Sequence, residues 1–162
     1  MTERSYNQTF CVAGAMIEKD GKILLVKEGG NFVDTGKWNR PAGWVDLGED
    51  PIAAAMREAK EETGLDFKPT ALLGVYSLVR KDREKALGYS PHVIKFIFKG
   101  EITGGTLIES NEEIQEIRWF TREEINALDP HQLRDADLVK EIDDYFAGVS
   151  HPLALIHHTF QQ

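Results

Sequence analysis

The amino-acid sequence predicts an α/β protein of the α+β type, with a mixed β-sheet covered by helices in one domain over residues 1–162. Three observations carry this reading. A chain of 162 residues, 41% hydrophobic and 28% charged, is long enough for one real core and short for two. Strand-like runs and helical patterns are mixed, without the regular βαβ succession of a doubly wound sheet. One mid-chain segment, about residues 51–63, carries both the start and the stop signals of a helix.

The elements follow in chain order. Thr9 to Glu18 and Lys22 to Lys27 are apolar runs joined around Lys19-Asp20-Gly21-Lys22, a hairpin signal because Asp-Gly tolerates positive φ. Gly29 to Lys37 reads as a glycine-rich loop, and Trp38 to Val45 as a short extended piece with Pro41 and Gly43. Asp50-Pro51 supplies an N-cap and a proline at the first helical position. Ile52, Ala55, Met56, Ala59 and Thr63 then recur at helical spacing as a buried face, and Gly64 stops the helix. Leu72 to Arg80 and His92 to Lys99 are strand-like, flanking a charged loop, RKDREKALGYSP. Glu113 to Phe120 is a further strand. Thr121-Arg122-Glu123-Glu124 is a capping box that opens a short helix, and Leu138 to Phe146 suggests a last one.

Composition narrows the function classes. With 19 Lys+Arg against 27 Asp+Glu, the net charge of -8 argues against DNA or an anionic membrane surface as partner. Small phosphorylated ligands stay open, because a metal ion and a few basic side chains can hold them. The single cysteine, Cys11, excludes an internal disulfide framework, fits a reducing compartment and is expected as a buried strand thiol. No stretch approaches the roughly 18 to 20 apolar residues of a membrane span. The first ten residues lack the apolar core of a secretory signal, so the expected location is cytoplasmic.

The chemistry concentrates in Arg57-Glu58-Ala59-Lys60-Glu61-Glu62. At 100° per residue, Glu58, Glu61 and Glu62 fall within an arc of roughly 100°. Like charges at these spacings repel by about 0.2–0.5 kcal/mol a pair. They also crowd the helix half where the macrodipole favours cations. Such an arrangement makes sense around a hard divalent cation, and oxygen-only ligation selects Mg²⁺ or Mn²⁺ over Zn²⁺. The alternative is a solvated acidic face in which Arg57 and Glu61 form a surface ion pair worth little.

What precedes the helix adds specificity. Gly43, five residues, Glu49, seven residues, then Arg57-Glu58-Ala59-Lys60-Glu61-Glu62-Thr63-Gly64-Leu65 resembles the Nudix hydrolase signature, G-x5-E-x7-R-E-U-x-E-E-x-G-U, with U an apolar residue. All the specified positions are filled, Ala59 being smaller than the usual aliphatic residue. With average residue usage, a chance match in a chain of this length is on the order of one in ten million. Trp38-Asn39-Arg40-Pro41-Ala42-Gly43 is similar to the family's W-x-x-P-G-G lead-in, with Ala42 for the middle glycine. Glu113 to Phe120, EIQEIRWF, is similar to the acidic strand with an aromatic end that follows the signature in many members.

The resemblance implies a Nudix fold, a mixed sheet between helices with the signature as loop–helix–loop. It implies hydrolysis of a pyrophosphate bond in a nucleoside diphosphate linked to another moiety X, with a nucleotide-type small molecule as substrate. By the family's pattern Glu58, Glu61 and Glu62 would ligate Mg²⁺, or Mn²⁺ as substitute, with the Gly43 carbonyl as a further ligand. Arg57 would orient the glutamates. Glu49 would either support the ligands or stabilise the loop. Glu113, with Glu112 beside it, is a candidate metal ligand or general base; the alternative is a pair of solvated loop acids. Arg40, Arg80, Lys81 and Arg83 are candidate phosphate contacts, and Trp38, Tyr76 and Phe32 candidate base-stacking residues, against solvated charges and core aromatics. The loop Arg80 to Pro91 reads either as a basic lid for the phosphate end of a substrate or as a soluble connector. Leu153, Leu155 and Ile156 are expected to pack on the domain or on a second subunit, the chain being a monomer or homodimer. LRDADLVKEIDDYFAG and the tail faintly resemble Nudix proteins that hydrolyse oxidised guanine nucleoside diphosphates. A catalytically silent nucleotide-binding module is the alternative, although such a module is expected to lose a signature carboxylate.

Overall fold

In a computed structural model, which describes residues 9–30 and 33–161, the strands divide between two four-stranded sheets. The first run, β1 (Thr9–Met16), ends before Ile17, and β2 (Glu18–Lys19) belongs to the other sheet. Asp20 (φ 53°) and Gly21 (φ 77°) then reverse the chain into β3 (Lys22–Glu28), as the Asp-Gly pair predicts. β4 (Trp38–Asn39) and β5 (Ala42–Trp44) flank a break at Arg40-Pro41.

Helix α1 (Pro51–Thr63) forms over the expected residues. The Asp50 carboxylate accepts the Ile52 N–H at 2.8 Å, and Gly64 closes the helix at φ 77°. Its buried face is turned relative to the expected one: Ala54 and Glu62 are inside, and Met56 is exposed. β6 (Leu65–Val79) and β7 (His92–Gly105) are both longer than expected, because they pair along their whole length as one twisted ribbon with bulges. The connection between them holds a 3₁₀ turn at Lys81–Arg83 and a short helix, α2 (Glu84–Leu87). β8 (Ile114–Phe120), α3 (Arg122–Asn126) and α4 (Leu138–Phe146) complete the chain, α3 opened by the capping box at Thr121.

The first sheet has the order β5-β1-β7-β6 and is mixed, because β1 and β7 run parallel while their other pairings are antiparallel. The second joins β2, β3, β4 and β8, all antiparallel. Ile23, Leu24, Leu25 and Val26 of β3 are all fully buried, so this strand has core on both faces. Leu24 joins a cluster with Ala54, Ala55 and Ala59 of α1 and Phe98. Ile23 and Leu25 join the other, with Phe120, Leu138 and Ile142. A mixed sheet between helices is therefore what forms, with a second sheet added.

Alternation along β1 corrects one expectation. Phe10 and Val12 share a face, and Cys11, on the other face near the strand's start, is exposed rather than buried. Leu153 and Ile156 pack against the α1 cluster, whereas Leu155 is exposed. Among the described residues no helix is long and apolar enough to cross a membrane.

Candidate active site

One cavity of about 630 Å³ receives residues from α1, from both sheets and from the neighbouring connections. Its wall on the sheet is set by register. Phe10 pairs with Val93 and Val12 with Lys95 and Trp44, so all five present one face to the cavity. Phe10 and Trp44 stack at 3.9 Å with an interplanar angle of 18°.

Five glutamates line one end: Glu28, Glu58, Glu61, Glu62 and Glu113. Glu58, Glu61 and Glu62 come from α1, as the helical spacing requires. Arg57 organises them. Its Nη1 donates to Glu58 Oε1 at 2.6 Å and to Glu61 Oε2 at 3.1 Å, and its Nη2 donates to the Trp44 carbonyl at 2.9 Å. Glu49 grips Arg57 from behind with both oxygens at 2.8 Å, and its Oε2 also accepts the Asp46 N–H. That fork pulls the Glu49 carboxyl below its usual range and raises Arg57. Glu49 therefore stabilises the loop through Arg57.

Gly43 is required by close approach. A Cβ there would lie 2.2 Å from the Glu58 carboxyl carbon. Burial pushes Glu58 above the ordinary carboxylate value, with the charges of Glu61 and Glu113 adding and Arg57 opposing. Glu62 is buried, accepts the Ala42 N–H at 3.0 Å, and is pushed well up by burial and by the charges of Glu28 and Glu58. Glu113 reaches the cavity because Asn111 turns the chain: its Oδ1 accepts the Glu113 N–H at 2.8 Å while its Nδ2 donates to the Glu61 carbonyl at 3.0 Å. Glu112 is exposed and does not line the cavity.

The donor set fits a hard divalent cation: all-oxygen, mutually repelling, and partly desolvated. Among the described residues no three acidic, His or Cys side chains already close on one point, since Glu58 and Glu61 are turned to Arg57. Glu28 is a cavity carboxylate that the sequence reading missed. Its signal was weak, a lone acid at a strand end, although Glu28 sits across from Glu62 and binds Arg134 at 2.7 Å.

The other end of the cavity is a buried ionic network. Arg40 is fully buried, with Asp135 at 3.3 Å and Glu141 at 3.0 Å. Burial works against its charge, and Glu141, Asp135 and Asp137 more than offset that, leaving it raised. Lys95 meets Asp135 at 3.2 Å, Glu141 at 2.7 Å and Asp137. Arg80 is nine-tenths buried between Asp82 and Asp135. Arg40 and Arg80 thus line the cavity as parts of a paired network, while Lys81 is exposed. Trp38 lies in the core, edge-on to Phe120 at 4.8 Å, and Tyr76 donates to Asp144 at 3.0 Å; neither lines the cavity. Trp44 and Phe10, which the sequence reading did not single out, are the aromatics that do. Phe32 lies outside the described residues.

The profile of the NUDIX domain family matches residues 8–142. The chain belongs to the Nudix family. It is 38% identical over 117 residues to the ADP-ribose pyrophosphatase of Methanocaldococcus jannaschii, covering 72% of this chain and 64% of that protein. It is 30% identical over 155 residues to the human 8-oxo-dGDP phosphatase NUDT18, covering 92% of this chain and 43% of that protein. Both relatives are thus matched over less than two thirds of their own length. A solved Nudix hydrolase from Nitrosomonas europaea superposes with a TM-score of 0.82 at 30% identity, covering 94% of this chain and 98% of that one.

Proposed function

We propose that the chain is a Nudix hydrolase that cleaves a pyrophosphate bond in a nucleoside diphosphate linked to another moiety, using Mg²⁺, with Mn²⁺ as a substitute. The observation that carries this reading is the convergence of Glu58, Glu61, Glu62 and Glu113 on one cavity, with Arg57 and Glu49 holding the helix to its loop. The names of the relatives, pyrophosphatases and phosphatases of nucleotide-like compounds, support the same reaction class.

Glu58, Glu61, Glu62, Glu113 and the Gly43 carbonyl would hold the cation. When bound, it supplies charge neutralisation on the phosphoryl oxygens and lowers the pKa of a coordinated water. Arg57 keeps Glu58 and Glu61 aimed, and Gly43 leaves room for the Glu58 carboxyl. Among the described residues Glu62 and Glu113 are the cavity glutamates with no ion pair. Glu62 is buried and accepts the Ala42 N–H, whereas Glu113 is exposed, which suits it to take the proton of the attacking water. The Phe10–Trp44 stack offers an aromatic wall to a nucleobase, and Arg80 offers a polar contact to the rest of the substrate, while the fully buried Arg40 supports it through their shared partner Asp135. A soluble nucleotide substrate in the cytoplasm fits this chemistry.

Release of phosphate-containing product tests the reading. The panel is nucleoside triphosphates, oxidised nucleoside diphosphates, ADP-ribose and dinucleoside polyphosphates, each with Mg²⁺ and with EDTA. Turnover of at least one member that EDTA abolishes is expected. Tight binding without turnover of any member would make the chain a silent binding module instead.

A further inference from the structure

The arginine end of the cavity holds a carboxylate that is undersized for its neighbours. Asp34 lies in the turn of residues 33–36, and its two oxygens face four cations. Oδ1 meets Arg83, Arg80 at 3.4 Å and Lys37 at 3.8 Å; Oδ2 meets Arg134 at 3.4 Å. The Arg80 and Arg134 separations are at or beyond the outer limit of a good hydrogen bond. Arg83 is 7% exposed, and its buried Nη2 has no aligned hydrogen-bond acceptor. Burial, with the charge of Arg134 beside it, pulls the Arg83 guanidinium below its ordinary value.

These arginines do not depend on Asp34 to keep their places. Asp82 holds Arg80 at 2.8 Å and Arg83 at 3.2 Å, Asp135 holds Arg80 at 3.3 Å, and Glu28 holds Arg134 at 2.7 Å. Each guanidinium is therefore braced from one side and turned toward Asp34 on another. Asp34, Arg80, Arg83 and Arg134 all line the cavity that receives the glutamates, and Glu28, which binds Arg134, sits across from Glu62.

We propose that Arg80, Arg83 and Arg134 form a binding site for a phosphate group of the substrate, in which the Asp34 carboxylate is a resident stand-in that the phosphate displaces. This rests on the pyrophosphohydrolase reading above. A phosphate carries more charge than a carboxylate and three peripheral oxygens, so it satisfies the Arg80 and Arg134 forks that the Asp34 carboxylate leaves long while keeping a partner for Arg83. Phosphate and Asp34 cannot share the site, because two anions at that spacing repel. The substrate thus exchanges for an internal anion, and the glutamate-lined end is not left facing unpaired arginines between turnovers.

The exchange is tested on the full chain in EDTA, with inorganic pyrophosphate as the probe and titration calorimetry as the readout. Asp34→Asn keeps the shape and removes the competing charge, and is expected to bind pyrophosphate about tenfold more tightly than wild type. Arg83→Gln is expected to bind it at least tenfold more weakly. Affinity that falls or stays unchanged in Asp34→Asn would overturn the proposal and make Asp34 a structural staple. Should Asp34→Asn fail to fold, Arg83→Gln and Arg134→Gln carry the test, and unchanged affinity in both overturns it. Because the readout needs neither metal nor turnover, absence of hydrolysis with this binding pattern intact would count against the activity and leave the phosphate site standing.

Discussion

The glutamate end of the cavity draws mainly on residues 43–62, and on α1 Glu61 and Glu62 lie three and four positions after Glu58. The arginine end joins Arg40 to Asp135 and Glu141, and Lys95 to the same two acids, across separations of 40 residues or more. The first is legible because helical geometry alone predicts which side chains converge. The second depends on tertiary pairing. The two ends also handle charge in opposite ways. At the glutamate end, burial, with neighbouring like charges adding to it, pushes Glu58 and Glu62 up, a state that a cation would relieve. At the arginine end, burial would raise Asp135, yet Arg40 and Lys95 hold it well below the ordinary carboxylate range. One end is unfinished without a ligand; the other largely neutralises itself.

That contrast can be broken most directly at Asp135. Asp135→Asn leaves Arg40 and Lys95 buried with less compensation, and is expected to destabilise the fold by about 3–5 kcal/mol in chemical denaturation. Its lowered pKa also sets a direction. The stabilisation is present above the ordinary Asp value and is lost as pH falls through the depressed one, so Asp135→Asn should flatten the acid limb of stability. A loss under 1 kcal/mol would show that the network does not hold the fold.

Glu62→Gln should behave in the reverse manner. It is expected to lower kcat by roughly 10²-fold while leaving metal-free stability unchanged or higher. Because the folded pKa of Glu62 is raised, its contribution to stability is present below the ordinary Glu value and is lost as pH rises through the raised one. The melting temperature of metal-free wild type should therefore fall with pH across that range more than that of Glu62→Gln. Near-wild-type turnover at saturating Mg²⁺ would remove Glu62 from the catalytic set.

The smallest expected effect sharpens the assignment of the proton acceptor. Glu113→Gln should depress kcat by about tenfold or more with little change in KM. Glu112→Gln, an exposed neighbour outside the cavity, is the control. Equal small effects from both would return the pair to the surface.

What the residues disclosed in advance follows the same division. Asp50, Pro51 and Gly64 mark α1 because caps are local hydrogen-bond problems with local solutions. Thr121 and Glu124 mark α3 for the same reason. The extra length of β6 and β7 was hidden, since Lys68, Thr70 and Glu101 look like loop residues until the partner strand is present. Trp38 and Trp44 could not be sorted by type alone. Which one enters the core and which lines the cavity depends on the pairing of β5 with β1 and of β4 with β3.

The parallel pairing of β1 with β7 has a consequence for how this molecule can change. Phe10, Val12, Val93 and Lys95 face the cavity, while Cys11 and Ile94, paired with each other between them, face away. The pocket wall is thus written on every second residue of two neighbouring strands. Substitutions at those positions would reshape what the pocket accepts while sparing the carboxylates of α1. A single-residue insertion in β1 ahead of Phe10 leaves that wall intact, but one between Phe10 and Val12 would turn a residue now facing away into the pocket. Substrate preference in such a scaffold can drift by point changes at these positions, whereas a slip in frame within the wall would scramble it.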